Sequence, residues 1–289
     1  MSTVTVTHRP DGVAVLTFDT PNSRANILSE GVWNDLRRAL MPLRMRAGLK
    51  GLVVASAKPD VFIAGADLKF FGALPAPNSP AVAQLVKLGN STLGMFESLP
   101  FPTCAAINGA ALGGGLEVAL ACDARVCGPS PATQLGLPEV KLGLIPGWGG
   151  SQRLPRVAEL KTAARMLLTG DSVSAADALA AKLVDRTFAD GEVVDQAAAF
   201  VATVEREPAR RAKREPLVLL EQDLLKDEVL AVGPATSPAM QELMTVIVRG
   251  SGQPLPDAVA IESAAFLRLT GSDDSKARIA AFFESRKKS

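Results

Sequence analysis

The stretch NGAALGGGLEVALACD, residues 108–123, decides how the chain is read. Gly113, Gly114 and Gly115 run straight into the apolar, helix-like segment LEVALA. Glycine inside a helix costs about 1 kcal/mol relative to alanine, so three in a row need a reason. TCAAI (103–107), just before, reads as a strand, so the glycines fall at a strand-to-helix turn. Peptide N–H groups at such a turn have no intrahelical partner and sit at the positive end of the helix dipole. Two readings follow. The glycines could permit tight packing, with Gly114 as N-cap and Glu117 at the third helical position, where carboxylates are favoured. Alternatively, the bare amides could hold an oxyanion.

Two further stretches share this character. FIAGADLK (62–69) ends a strand-like run, turns through Ala64, Gly65 and Ala66, and places Asp67 as the N-cap of a following helix. QLGLPEVKLGLIPGWGGSQRLPR (134–156) is dense in proline and glycine yet apolar, with Glu139 in a loop-like segment. A carboxylate in apolar company has a raised pKa and can act as an acid. Exposed amides from two separate turns are how an acyl or thioester oxygen is held while charge builds on it.

Around these stretches the pattern is α/β. Strand-like runs at GVAVLTF (12–18), GLVVASA (51–57) and DARVCG (123–128) alternate with helical segments, the first opened by Ser29 as N-cap, with Trp33, Leu36 and Leu40 on one face. GALPAPNSP (72–80) reads as a mobile rim loop, and Phe70, Phe71 and Trp148 could alter pocket depth. EREPARRAKREP (205–216) reads as a solvated helix face, because its glutamates interleave with the arginines and no aromatic residues accompany them. The organisation expected is a core with the active site over 1–200 and a helical region over 201–289.

Composition narrows the chemistry. The 289 residues are 47% hydrophobic, enough for a substantial core, and 31 basic against 30 acidic residues leave a net charge of +1. That balance points away from nucleic acid and anionic membranes as partners. No run approaches the roughly 20 apolar residues of a membrane helix. Cys104, Cys122 and Cys127 have no zinc-site or disulfide-framework spacing, which fits a reducing, cytoplasmic setting and no metal. His8 is the only histidine and tyrosine is absent, so acid–base work falls to carboxylates or lysines.

Taken together, PNSRANILS, FIAGADLK, INGAALGGGLEVALACD, LGLPEVKLGLIPGWGGSQRLPR and LTGDSVSAADALAAKLVD resemble the enoyl-CoA hydratase/isomerase, or crotonase, family, in family order. The resemblance implies a spiral of ββα units with a C-terminal helical trimerisation region, assembled as a homotrimer or hexamer. It also implies an oxyanion hole from the backbone N–H groups of Ala66 and Gly114, and Glu117 and Glu139 as the catalytic carboxylates. Ala25, Ala64, Asp67 and Lys69 would lie along CoA, which belongs to the substrate; no separate cofactor is implied. The activity implied is hydration of a 2-enoyl-CoA, with 3-enoyl/2-enoyl-CoA isomerisation or non-catalytic acyl-CoA binding as alternatives. Lys182 stands where the family usually has a glycine at a helix C-terminus, so that cap is expected to be built differently.

Overall fold

The computed structural model describes residues 2–217 and 237–287. The part of the expected helical region at 218–236 lies outside the described residues. Elsewhere the strand and helix positions read from the sequence are present. Strands β1 (Val4–His8) and β2 (Val13–Phe18) form an antiparallel pair, and α1 (Glu30–Leu43) follows with Ser29 capping it.

The chain then repeats one unit three times. β3 (Gly51–Ser56), β5 (Thr103–Ile107) and β7 (Ala124–Cys127) extend the first sheet, while β4 (Val61–Ile63), β6 (Ala110–Leu112) and β8 (Gln134–Gly136) build a second. The first sheet has the order β1-β2-β3-β5-β7-β10, with β10 at Arg186–Thr187. The second has β4-β6-β8-β9, with β9 at Val173–Ser174. Each unit thus gives one strand to each sheet before a helical segment: α2 (Leu68–Gly72) and α3 (Pro80–Ser98), then α4 (Gly114–Ala121), then a 3-10 turn at Pro138–Leu142. This is the expected spiral of ββα units.

Burial explains why the central strands are largely apolar, with Arg125 as the one charged residue among them. β3, β5 and β7 are buried at every residue, as parallel strands covered on both faces must be. Leu52, Val54, Ala105 and Ile107 face the main core, whereas Val53, Ala55, Cys104, Ala106 and Val126 pack against α8 (Val193–Val201). All three cysteines are buried and free. Among the described residues, no helix is long and apolar enough to cross a membrane.

Four segments of the molecule differ from expectation. The basic helix α9 (Arg206–Arg214) is not a solvated face alone, because it turns Arg210 and Lys213 inward. Arg210 donates from Nε and Nη2 to the two oxygens of buried Asp123, at 2.7 and 2.9 Å, and Lys213 donates to the carbonyls of Ala121 and Cys122 at the end of α4. Cations belong there, at the negative end of the helix dipole. Segment 73–79 lacks regular structure as expected but is tethered, with Asn78 N–H donating to Leu267 O (2.9 Å) and Lys276 Nζ to Pro75 O (2.7 Å). Glu139 lies in the 3-10 turn rather than in a loop.

The fourth is Lys182, after α7 (Ala175–Ala180), which adopts φ +60° itself. Its N–H donates to Leu179 O and that of Leu183 to Ala178 O, the paired bonds of a glycine-type helix stop. The cap is therefore the usual one with a lysine forced into it. Because the left-handed conformation costs a non-glycine residue about 1–2 kcal/mol, Lys182→Gly is expected to stabilise the fold by about 1 kcal/mol after glycine's own entropy is subtracted. Thermal unfolding would show this as a Tm increase of about 2 °C.

Candidate active site

Parallel pairing of β4, β6 and β8 brings their carboxyl ends side by side, in the register Ile63↔Ala111 and Leu112↔Gly136. The three chemistry-bearing stretches leave from those ends. They border a cleft of about 550 Å3, partly open to solvent, lined by Ala64, Gly65, Ala66, Gly113, Gly114, Glu117 and Glu139 together with Leu68, Phe71, Pro138, Leu142, Leu144, Gly147, Trp148 and Phe266. Phe266 comes from the C-terminal helix α11 (Leu255–Leu269), which follows α10 (Pro238–Ser251) and precedes α12 (Asp273–Lys287).

The glycines allow close approach. Gly113 is the N-cap of α4 at φ +51°, and a methyl group added to it would stand 2.7 Å from Glu139 Oε1 and 4.0 Å from the Gly65 Cα. Gly65 itself has φ +115°. One on Gly115 would lie 2.2 Å from Ile63 O, so only glycine lets α4 seat against β4. Gly114 is the first helical residue, and its N–H has no partner within α4. No side chain caps this end.

Glu117 does not cap its own helix. It is the fourth residue of α4, and its Oε1 accepts from the backbone N–H groups of Trp148 (2.8 Å) and Gly150 (2.7 Å), at the start of α5 (Gly150–Val157), which is followed by α6 (Leu160–Thr169). Burial raises its pKa from 4.5 to about 7, against the lowering effect of those two bonds and of the Arg153 charge. Glu139 is pushed well above the usual carboxylate range by burial, then by the charge of Glu117. Its Oε2 is buried and has no hydrogen-bond partner among the described residues.

Sequence reasoning missed a third carboxylate. Glu262 of α11 is wholly buried, and burial followed by the charge of Glu117 raises its pKa to about 8. Its oxygens accept from Gly149 N–H, Ser151 N–H and Ser151 Oγ. The signal was present: Ala258, Glu262 and Phe266 fall at i, i+4 and i+8 on the buried stripe of a helix, where a charge needs a partner. Asn26 was also passed over; its Nδ2 donates to Ser56 Oγ and Phe62 O, fixing the loop whose carbonyl accepts from Ala64 N–H.

The remaining expected residues divide. Ala64 lines the rim of the cleft. Ala25, Asp67 and Lys69 do not line it: Asp67 caps α2 by accepting from Lys69 N–H (3.1 Å) and Phe70 N–H (3.4 Å), and Lys69 is exposed. Of the aromatics, Phe71 and Trp148 wall the cleft, while Phe70 packs edge-on against Phe71. Among the described residues, no group of three or more His, Cys, Asp or Glu is placed to hold a metal ion.

Comparison with known proteins agrees with this architecture. The sequence profile of the enoyl-CoA hydratase/isomerase family matches residues 8–214, and the chain belongs to that family. Among solved structures, it is similar to DspI of Pseudomonas aeruginosa (31% identity, 81% of this chain and 92% of that one, TM-score 0.64). An enoyl-CoA hydratase from Bacillus anthracis is 28% identical over 98% of this chain and 96% of its own, with a TM-score of 0.63. An enoyl-CoA hydratase/isomerase from Xanthobacter autotrophicus is 26% identical over 99% and 93%, with a TM-score of 0.67.

Two outcomes follow from the geometry. Gly113→Ala, which puts a methyl group against Glu139 at a positive φ, should lower turnover by about 100-fold, read by steady-state assay. Because Glu117 and Glu262 have folded-state pKa values above 4.5, the folded chain binds their protons more tightly than the unfolded chain does. The stability they contribute is complete below about pH 4.5 and is lost as pH rises through about 7 and about 8. Urea denaturation should therefore show the Glu262→Gln variant losing less stability than wild type between about pH 5 and pH 8.5.

Proposed function

We propose that the protein is a 2-enoyl-CoA hydratase, adding water across the 2,3 double bond to give a 3-hydroxyacyl-CoA. The observation that carries this reading is the pair Glu117 and Glu139, both in the cleft beside the open N-terminus of α4 and held in unlike environments. Glu117, stabilised by two amides and the field of Arg153, is the member suited to hold charge near pH 7. Glu139, without a partner on Oε2 among the described residues, is the member suited to carry a proton. Environments that push two carboxylates apart assign the base and the acid.

In this reading the thioester oxygen accepts from the N–H groups of Ala66 and Gly114, which relieve the charge that develops as an enolate forms. Glu117 takes a proton from water as its oxygen bonds to C3. The π electrons move toward C2 and the thioester oxygen, and C2 receives its proton from Glu139. Glu117 ends protonated and Glu139 ionised, so one proton passes back between them, through solvent, before the next cycle. Hydration requires no cofactor apart from the CoA carried by the substrate.

The reading extends to the rest of the ligand and to assembly. Ala64, at the rim, would meet the adenine end of CoA with its backbone, and Ala25, Asp67 and Lys69 would follow the pantetheine and phosphates outside the cleft. The helices after residue 201 would form the contacts of a homotrimer or dimer of trimers. A cytoplasmic role in fatty-acid β-oxidation suits three free cysteines and a near-neutral chain.

Loss of the conjugated-thioester absorbance of crotonyl-CoA tests the reaction. Wild type should consume it rapidly, and Glu117→Gln and Glu139→Gln should each lower kcat by about 1000-fold or more while binding CoA thioesters nearly normally. Double-bond migration surviving in Glu117→Gln would favour the isomerase alternative, and thioester binding without turnover in wild type would favour a binding protein.

A further inference from the structure

Four consecutive backbone amides alternate between two carboxylates. Trp148 N–H and Gly150 N–H donate to Glu117 Oε1, at 2.8 and 2.7 Å. Gly149 N–H donates to Glu262 Oε1 at 2.5 Å and Ser151 N–H to Glu262 Oε2 at 2.8 Å, with the Ser151 hydroxyl adding a third bond at 2.6 Å. Such alternation requires a particular backbone. Gly149 stands at φ +93°, in the left-handed region, and this turns successive N–H groups to opposite sides of the chain.

The turn is also held from its carbonyl side. Arg153 donates from Nη1 to Trp148 O at 2.7 Å and is paired with Glu97 at 3.1 Å. Glu262 does not line the cleft, so it has no route to substrate. Among the described residues its hydrogen bonds all go to this turn, and it stands on a helix 111 residues further along the chain than Ser151. A leucine would fill the same volume in the α11 stripe without the cost of burying an acid. What an acid adds at this position is a fixed orientation of two amides, and through the peptide planes a fixed orientation of the two between them.

We infer that Glu262 is a positioning residue for hydration: by clamping Gly149 and Ser151 it aims the Trp148 and Gly150 amides at one oxygen of Glu117, leaving the other oxygen for water. This rests on the reading of Glu117 as the group that activates water. Glutamine at 262 would turn an NH2 group toward a backbone N–H and break one arm of the clamp. Removing the Ser151 hydroxyl would loosen the same clamp while leaving the carboxylate in place.

The experiment separates the two halves of the chemistry in the full-length protein. Crotonyl-CoA hydration needs Glu117 and water. Exchange of the C2 hydrogens of butyryl-CoA with heavy water needs Glu139 and the oxyanion donors, so the clamp should leave its maximal rate across pH unchanged; only its pH midpoint can move, because the charge of Glu262 bears on Glu139. Glu262→Gln is expected to lower kcat for hydration about 10–100-fold, leave KM within about 2-fold, and leave the maximal exchange rate near wild type. Ser151→Ala should give a smaller loss of the same kind, and the double variant should lose no more than Glu262→Gln alone, because both substitutions act on one clamp.

Hydration and maximal exchange falling together in Glu262→Gln, or hydration unchanged, would overturn the inference. If Glu262→Gln fails to fold, Ser151→Ala decides the matter by the same comparison. Wild-type protein inactive in hydration would instead remove the reading of Glu117 on which the inference stands.

Discussion

Everything in the site depends on α4 being buried along its whole length with its two ends treated differently. A helix that surrenders all its solvent contact needs partners for the orphan groups at both termini. At the carboxyl end these are supplied by the protein, where Lys213 reaches the last carbonyls and Asp123 is locked to Arg210. At the amino end they are not supplied by any side chain: Gly113, Gly114 and Gly115 keep that end bare and open to the cleft. The positive end of a short dipole thus faces the cleft, where the proposed reaction would place a developing negative charge. The two sheets exist, in functional terms, to hold this end against the Gly65 turn and the Glu139 turn.

Around that end the chain has concentrated three acids, of which Glu117 and Glu262 are wholly buried. Glu117, Glu139 and Glu262 all have raised pKa values, with burial as the largest cause, and the charge of Glu117 adds to the rise at both others. A cluster of this kind costs stability as pH rises, since each ionisation leaves a buried charge beside others. It is tolerable because one turn, Trp148–Ser151, offers four amides to two of the three. The third, Glu139, has an oxygen with no partner among the described residues, which favours its protonated form.

How much of this could be read from the chain follows from how local each feature is. The strands, the Ser29 and Asp67 caps and the three glycine-bearing turns are written in adjacent residues and appear where their spacing put them. Glu117 stands out as a lone carboxylate after glycines, but neighbouring residues cannot choose between a cap of α4 and a group serving the cleft, because its partners lie 31 and 33 residues away at the start of another helix. The same limit hid Glu262, more than a hundred residues from the amides it holds. The basic segment at 205–216 departs from a solvated face for a related reason. Interleaved charges describe a solvated face only when no buried helix terminus or carboxylate is waiting for them, and Asp123 and the end of α4 become visible only in the fold. Lys182 shows the converse: geometry overrode residue preference, since Leu179 and Ala178 needed their carbonyls capped whatever residue occupied that position.

The most direct test of the account is a titration of the three glutamate side chains by carboxyl-selective carbon NMR in the free protein. Glu117 should ionise near pH 7, Glu262 near pH 8 and Glu139 well above the usual carboxylate range. Ordinary midpoints near 4.5 for all three would contradict the account, because two fully ionised carboxylates in the cleft would leave no acid for C2.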